Sequence, residues 1–159
     1  MEYIIRAMQP EEYGILEDFL YQAIFQRNQE KLLPKSVINE PALHIYIKDF
    51  GISEHDQCLC AEVDGQIVGA VWVRIISGFG SVDNVTPEFA ISLYKEYRGY
   101  GIGTRLMREM LKHLKSLGYQ RTSLAVQKDN YAYKMYSLVG FEIVDENEEE
   151  YIMVNYLVK

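Results

Sequence analysis

The chain has 159 residues, a formal net charge of −7 and 25% charged residues, which suits one globular domain of ordinary size. The acidic balance argues against nucleic acid as the main partner, because binding a phosphate backbone needs clustered Lys and Arg. No apolar run approaches the ~20 residues that span a bilayer, and the first residues lack the cationic start of a signal peptide. We therefore expect a single domain over residues 1–159, with no membrane association and a cytoplasmic location.

Hydrophobic periodicity predicts strands that alternate with helices along the chain. The predicted strands are 3–7, 58–63, 66–76, 87–94, 121–126, 141–144 and 151–158. The predicted helices are 10–27, 102–117 and 130–139, with shorter helical pieces at 36–40 and 42–50. Asp64-Gly65 lies between two apolar runs and predicts a tight hairpin. This order of elements favours one mixed α/β (α+β) layer structure.

Two cysteines, Cys58 and Cys60, lie on one predicted strand and therefore point to the same face. They are too close in sequence for an easy disulfide, and they do not form a CxxC motif. We expect them to be small core residues, and we expect no metal site.

Residues 97–104, Tyr-Arg-Gly-Tyr-Gly-Ile-Gly-Thr, connect a predicted strand to a predicted helix through three glycines at alternate positions. Free main-chain N–H groups and the positive end of a helix dipole make such a turn suitable for phosphate. A dinucleotide-binding turn would need Gly-x-Gly-x-x-Gly and an acidic residue about 20 positions later. A P-loop would need Gly-Lys-Ser/Thr. Neither pattern is present, so the turn alone leaves open which phosphate ligand it binds, or whether it binds one.

Two motifs together resemble those of the GCN5-related N-acetyltransferases, the GNAT superfamily. Arg98-x-x-Gly101-x-Gly103 resembles the pyrophosphate-binding signature Gln/Arg-x-x-Gly-x-Gly/Ala of that family. Residues 130–141 match the family pattern Asn-x-Ala-x-x-x-Tyr-x-x-x-Gly-Phe at every specified position. The resemblance extends from about residue 3 to the end and is weakest over residues 28–56. It implies a GNAT-like fold, with a central, mostly antiparallel, twisted sheet of about seven strands flanked by helices.

The resemblance implies an acetyl-CoA-dependent N-acetyltransferase. Acetyl-CoA would be the co-substrate, and a primary amine on a small molecule or a peptide would be the acceptor. The amine would attack the thioester directly in a ternary complex, so no covalent enzyme intermediate is required. The alternative is a non-catalytic acyl-CoA-binding or regulatory module of the same fold. A homodimer is compatible with either reading.

The resemblance also assigns roles to individual residues. The glycine turn would hold the CoA pyrophosphate, and the strand before it would pair with the pantetheine arm. Asn130 would orient the pantetheine or a water, unless it only caps the following helix. Tyr136 would serve the leaving thiolate as general acid or hydrogen-bond donor. The implied CoA-binding residues are Ile91, Ser92, Leu93, Arg98, Gly99, Tyr100, Gly101, Ile102, Gly103, Thr104, Asn130 and Tyr136.

A general base must deprotonate the acceptor amine, and two acidic residues are candidates. Glu88 is the first, because its side chain could face the acceptor cleft directly or through water; the alternative is an exposed carboxylate at a strand end. Asp83 is the second. Trp72 and Arg74 could line the cleft, although core packing and a surface charge explain them equally well. The acidic run 145–150 is either a solvated loop or an attraction for a cationic substrate.

Overall fold

A computed structural model describes residues 1–158 and shows one seven-stranded sheet packed against helices. Residue 159, the last of the predicted domain, lies outside the described part. The strands are β1 Ile4–Ala7, β2 Gln57–Val63, β3 Gln66–Arg74, β4 Glu88–Leu93, β5 Arg121–Gln127, β6 Glu142–Glu146 and β7 Glu150–Tyr156. The helices are α1 Leu16–Ala23, α2 Pro41–His44, α3 Ile102–Ser116 and α4 Ala132–Leu138. None of these helices, all within residues 1–158, is long and apolar enough to cross a bilayer.

The sheet has the strand order β1-β2-β3-β4-β5-β7-β6. All neighbouring strands run antiparallel except β4 and β5, which are parallel. The only register pair between β4 and β5 joins Glu88 to Ser123. Beyond that pair the two strands diverge and leave a gap in the middle of the sheet. The prediction of a mostly antiparallel sheet of about seven strands is confirmed.

The core lies on both faces of the sheet, as the alternation along β3 shows. Val71 and Val73 pack on the side of α3, whereas Ala70 and Trp72 pack on the side of α1. Helix α3 buries a stripe with helical spacing, as an amphipathic helix over a sheet must. This stripe consists of Ile102, Leu106, Met107, Met110 and Leu114. The two cysteines are free and buried in the α1-side cluster, which confirms the expectation of core residues.

Two predicted helices are shorter than expected. Residues Pro10–Ile15 form a 3-10 turn, and the α-helix runs only from Leu16 to Ala23, where residue 24 turns to an extended conformation. The piece at 42–50 is helical only to His44. Positive φ angles of 53° at Asp49 and 103° at Gly51 end the turns that follow, because a right-handed helix cannot continue through a left-handed residue. Because α1 ends at Ala23, segment 24–33 is not part of that helix, and it lies near the gap.

Candidate active site

Two cavities open at the gap between β4 and β5. The first, called here the turn cavity, has a volume of about 850 Å³ and is lined by the glycine turn and the start of α3. The second, called here the strand cavity, has a volume of about 330 Å³ and is lined by residues 88–91 of β4 and 124–127 of β5. Ile91, Asn130 and Tyr136 line both cavities. The two cavities therefore meet in the gap.

The glycine turn directs main-chain donors into the turn cavity. Gly99 and Gly101 have φ angles of 86° and 83°, in the left-handed region that glycine adopts without a steric penalty. Gly101 precedes the first turn of α3, and its carbonyl accepts the N–H of Arg105 at 3.2 Å. The N–H groups of residues 102–104 consequently have no carbonyl acceptor within the helix. The first turn carries no acidic side chain, so this helix start is suited to an anion.

Strand β4 turns main-chain groups of alternate residues toward the gap, because antiparallel pairing alternates along a strand. The N–H of Tyr94 donates to the carbonyl of Val68 on the β3 side at 3.0 Å. The carbonyl of Pro87 instead accepts the N–H of Ser123 on β5 at 3.1 Å. Residue 91 is four positions after residue 87, so its main-chain groups point to the same side of β4. The N–H and C=O of Ile91 therefore face the gap, where β5 has moved away from β4. This edge can pair with an extended ligand.

Two other residues of the implied CoA set hold the walls of the turn cavity. The hydroxyl of Ser92 is buried and donates to the carbonyl of Phe19 at 2.6 Å, which ties α1 to β4. The guanidinium of Arg98 donates to the carbonyl of Leu93 at 3.2 Å and to Gln22 Oε1 at 3.3 Å. Arg98 thus links the glycine turn to both β4 and α1 while it lines the cavity.

Tyr136 places its side chain at the junction of the two cavities. Its ring packs edge-on against Phe141 at 5.8 Å between centroids, and burial raises the pKa of its hydroxyl to about 12. Within residues 1–158 its hydroxyl makes no hydrogen bond shown by the structure. Asn130 accepts the N–H of Ala132 at 2.9 Å through Oδ1. It therefore closes the turn that leads into α4, and it lines both cavities as well.

Glu88 lies at the closed end of the gap, with only 2% of its surface exposed. One carboxylate oxygen, Oε2, accepts the hydroxyl of Tyr46 at 2.8 Å and the N–H of Gly80 at 3.2 Å; Oε1 accepts the N–H of Gly78 at 2.7 Å. Burial raises the pKa of Glu88, and these three hydrogen bonds oppose the rise. The alternative of an exposed carboxylate is wrong, because Glu88 lines the strand cavity from a buried position.

A match to a known family covers most of this site. The model of the Acetyltransferase (GNAT) family matches residues 18–141, which contain both motifs, the gap and the whole lining of the turn cavity. The chain belongs to the GNAT acetyltransferase family.

Curated relatives of this GNAT protein match over part of their length. The chain is 32% identical over 76 residues to the uncharacterized N-acetyltransferase YobR of Bacillus subtilis, covering 47% of this chain and 28% of that one. It is 30% identical over 108 residues to an N-alpha-acetyltransferase of Sulfurisphaera tokodaii, covering 58% and 65%. The matched regions therefore span between about a quarter and two thirds of these relatives.

Solved structures of other GNAT proteins match almost the full chain. PaiA N-acetyltransferase of Thermoplasma acidophilum, in complex with coenzyme A, has a TM-score of 0.70 at 22% identity and covers 98% of this chain and 99% of its own. An N-acetyltransferase of Staphylococcus aureus has a TM-score of 0.71 at 16% identity, covering 99% and 100%. These likenesses confirm the predicted fold, and the family confirms the prediction of an acyltransferase.

Most of the implied CoA-binding residues of this GNAT protein line the turn cavity. They are Ile91, Ser92, Leu93, Arg98, Gly99, Gly101, Gly103, Thr104, Asn130 and Tyr136. The side chain of Tyr100 is exposed instead, and that of Ile102 is fully buried in the core. Neither residue lines the turn cavity, and the buried Ile102 can contribute only main-chain groups to a ligand.

Segment 24–33 also lines the turn cavity, and no motif in the sequence marked it. Ile24, Phe25 and Leu32 are among its lining residues. The guanidinium of Arg27 connects the segment to the end of β5 and the loop after it. It donates hydrogen bonds to Asp129 at 2.5 and 2.6 Å and to Gln127 at 3.1 Å. Asp129 directly precedes Asn130 at the cavity junction, so this ion pair joins the segment to the start of α4.

Tyr46 was also missed, and of the two residues that hold it, Trp72 packs in the core, as one of its two alternatives predicted. Trp72 Nε1 donates to the carbonyl of Tyr46 at 3.1 Å, and Arg74 donates to the neighbouring carbonyl of Ile45 at 3.0 Å. Arg74 is not the surface charge that the sequence analysis considered, because it is buried in an ion pair with Asp56 at 2.9 Å. Neither Trp72 nor Arg74 lines a cavity. Both position the backbone that presents Tyr46 to Glu88.

Asp83, the second candidate base, has a different environment. Its carboxylate accepts the N–H groups of Val85 at 2.9 Å and Thr86 at 2.7 Å, and it pairs with Arg121 at 2.5 Å. The Val85 N–H and these other donors hold the pKa of Asp83 well below its usual value. Asp83 lines neither cavity, and it organises the turn that leads into β4.

Proposed function

We propose that this chain is an acetyl-CoA-dependent N-acetyltransferase that moves an acetyl group to a primary amine by direct attack in a ternary complex. The observation that carries the proposal is the meeting of the two cavities at Ile91, Asn130 and Tyr136. Two separate ligands can enter from the two cavities and bring their reacting atoms together in the gap. We place this activity in a single domain over residues 1–159 and in the cytoplasm.

The turn cavity suits acetyl-CoA. Its volume of about 850 Å³ is within the range of sites for large organic ligands. The free N–H groups at the start of α3 would hold the pyrophosphate, with Arg98 adding positive charge. The unpaired main-chain edge at Ile91 would bind the amide groups of the pantetheine arm. This order of contacts would direct the thioester toward Tyr136.

The acceptor amine would reach the thioester from the strand cavity. Its nitrogen lone pair attacks the carbonyl carbon, so a C–N bond forms and the C–S bond breaks. Glu88 takes the proton lost from the amine, directly or through water, and Tyr136 donates a hydrogen bond or its proton to the departing thiolate. With a pKa of about 12, Tyr136 carries its proton at neutral pH. Burial raises the pKa of Glu88, which strengthens it as a base.

The substitution Tyr136→Phe tests this mechanism. We expect kcat to fall about 100-fold or more, the usual contribution of a positioned acid or base, with little change in affinity for acetyl-CoA. The matched control is Tyr133→Phe in the same helix. Tyr133 packs against Tyr151 at 5.6 Å between ring centroids and lines neither cavity, so its variant should keep its activity. Release of CoA thiol and binding of acetyl-CoA are measured for both variants.

Equal turnover of the Tyr136 and Tyr133 variants would remove Tyr136 from the mechanism. Binding of acetyl-CoA without thiol release on a broad panel of amines would instead favour the regulatory module. The unpartnered hydroxyl of Tyr136 at the junction is what favours the enzyme over that alternative.

A further inference from the structure

We propose that the acceptor is a linear diamine or polyamine, bound between carboxylates at the two ends of the strand cavity. This proposal rests on the proposed acetyl transfer and names the class of its amine.

The charged side chains that line the strand cavity are all acidic. They are Glu88, Glu149 and Glu150, and no Lys or Arg is among the lining residues, all of which lie within residues 1–158. A cavity with three carboxylates attracts ammonium groups and repels carboxylate and phosphate groups. Amino acids with a free carboxylate and phosphorylated amines are therefore disfavoured as acceptors.

Two cations that are close in sequence to residues lining this cavity are paired with other carboxylates. Arg27 binds Asp129 at 2.5 Å, and Lys128 binds Glu146 at 3.2 Å. Glu149 and Glu150 make no salt bridge within residues 1–158 that the structure shows, and their side chains are available to a ligand. Arg27 also interacts electrostatically with Glu149, so the charge left for a ligand to balance is chiefly that of Glu88 and Glu150.

The carboxylates lie at opposite ends of the cavity. Glu88 pairs with Ser123 at the closed end of the gap, and Glu150 pairs with Gln127 at the far end of β5. Gln127 lies four positions after Ser123 along β5, which is roughly 13 Å at about 3.3 Å per residue. A single ammonium group cannot contact both ends. An extended molecule with two ammonium groups can do so.

The hairpin between β6 and β7 fixes the outer carboxylates. The acidic run, interpreted from the sequence as a solvated loop or an attraction for a cationic substrate, is exposed over residues 145–149; its first residues end β6 at Glu146, and its last residue, Glu150, begins β7. Glu149 is anchored by its carbonyl, which accepts the N–H of Lys128 at 2.8 Å. Glu148 belongs to the same run but does not line the cavity.

The lining of the strand cavity also includes apolar side chains, which suit a chain of methylene groups. Its apolar side chains include Leu20, Ile24, Phe25, Leu43 and Phe79. Phe79 is held between Gly78 and Gly80, and it stacks on Tyr46 at 6.4 Å between ring centroids. A Cβ on Gly80 would lie 2.5 Å from the main-chain nitrogen of Ala125, so the loop that presents Phe79 depends on glycine.

The test compares three series of acceptors of matched length at saturating acetyl-CoA: α,ω-diamines, n-alkyl monoamines and ω-amino acids. We expect kcat/KM for the best diamine to exceed that of the matched monoamine at least about tenfold, which corresponds to about 1.4 kcal/mol. The matched ω-amino acid should be slower than the monoamine, because its carboxylate meets Glu149 and Glu150. Added salt should reduce the advantage of the diamine.

The double variant Glu149→Gln/Glu150→Gln identifies the outer end. It should raise KM for diamines about tenfold and raise KM for monoamines by a much smaller factor. The matched control is Glu148→Gln, which removes a charge from the same run without changing the cavity lining. It should leave both series unchanged.

Equal rates for diamines and monoamines, or a double variant that affects both series alike, would overturn the diamine assignment and leave acetyl transfer intact. Preference for a peptide amine over every diamine would also overturn it. If no acceptor is acetylated, calorimetric titration of the best-matched diamine into the CoA complex decides the question. Binding that the double variant weakens supports the assignment, and absence of binding overturns it.

Discussion

Glu88 illustrates how a single residue acquires its chemistry from groups that are distant in sequence. Its carboxylate is removed from water, which raises its pKa, and it accepts a hydroxyl from Tyr46, 42 positions earlier. It also accepts two N–H groups from the loop that contains Gly78 and Gly80. The same contacts that stabilise the anion also fix the direction of its lone pairs. Tyr46 therefore positions Glu88 and moderates its basicity.

The substitution Tyr46→Phe should shift the pH dependence of acetyl transfer. The lost hydroxyl stabilises the charged form of Glu88, so its removal should raise the pKa of Glu88 further. If Glu88 must be ionised to act as the base, the rise of kcat/KM with pH should move to higher pH. The profile is measured with one amine of fixed pKa.

Tyr119→Phe is the matched control for Tyr46→Phe. The hydroxyl of Tyr119 is also hydrogen-bonded, to His55 Nδ1 at 2.6 Å, but Tyr119 lines neither cavity. Its variant should keep the original pH profile. A profile unchanged in Tyr46→Phe, or shifted equally in both variants, would contradict the role of Tyr46.

At the scale of elements, helix α3 begins and ends with a glycine in the left-handed region. Gly101 at the start has a φ of 83°, and Gly118 after the end has a φ of 91°. In both places a Cβ would meet no atom within 4 Å, so the backbone angle and not space requires glycine. Only Gly101 lines the turn cavity. Substitutions at the two ends of α3 can therefore distinguish an effect on stability, expected at both glycines, from an effect on ligand binding, expected only at Gly101.

Gly101→Ala and Gly118→Ala should each lower the free energy of unfolding by about 1–2 kcal/mol, the usual cost of a left-handed L-residue. Only Gly101→Ala should also raise KM for acetyl-CoA, because it disturbs the N–H groups at the start of α3. Chemical denaturation and acetyl-CoA titrations measure the two effects. An equal rise in KM for both variants would contradict a local role for the turn in CoA binding.

At the scale of the whole molecule, the sequence predicted the fold better than the site. Periodic apolar residues and the two motifs were sufficient for the seven-stranded sheet and for the placement of Gly101 and Tyr136. The site depends instead on contacts between distant segments. Nothing local to Tyr46 or Arg27 indicates that they reach Glu88 and Asp129, and the buried ion pair of Arg74 leaves no periodic signal. A hydrophobic pattern shows which face of a single helix or strand is buried. The positions of these side chains depend instead on how several helices, strands and loops pack together.

The proposed binding of acetyl-CoA depends on the whole fold, because it uses the gap between β4 and β5, which share only the pair of Glu88 and Ser123. A ligand that binds only the folded state stabilises it by about 2.7 kcal/mol at 100 times its Kd. For a chain of this length, 1 kcal/mol shifts Tm by about 2–4 °C, so we expect acetyl-CoA to raise Tm by roughly 5–11 °C. Acetyl-pantetheine lacks the pyrophosphate that the start of α3 would hold, and it should raise Tm less at the same concentration. No shift at millimolar acetyl-CoA would contradict binding at this gap, and equal shifts by both ligands would contradict the part given to the glycine turn.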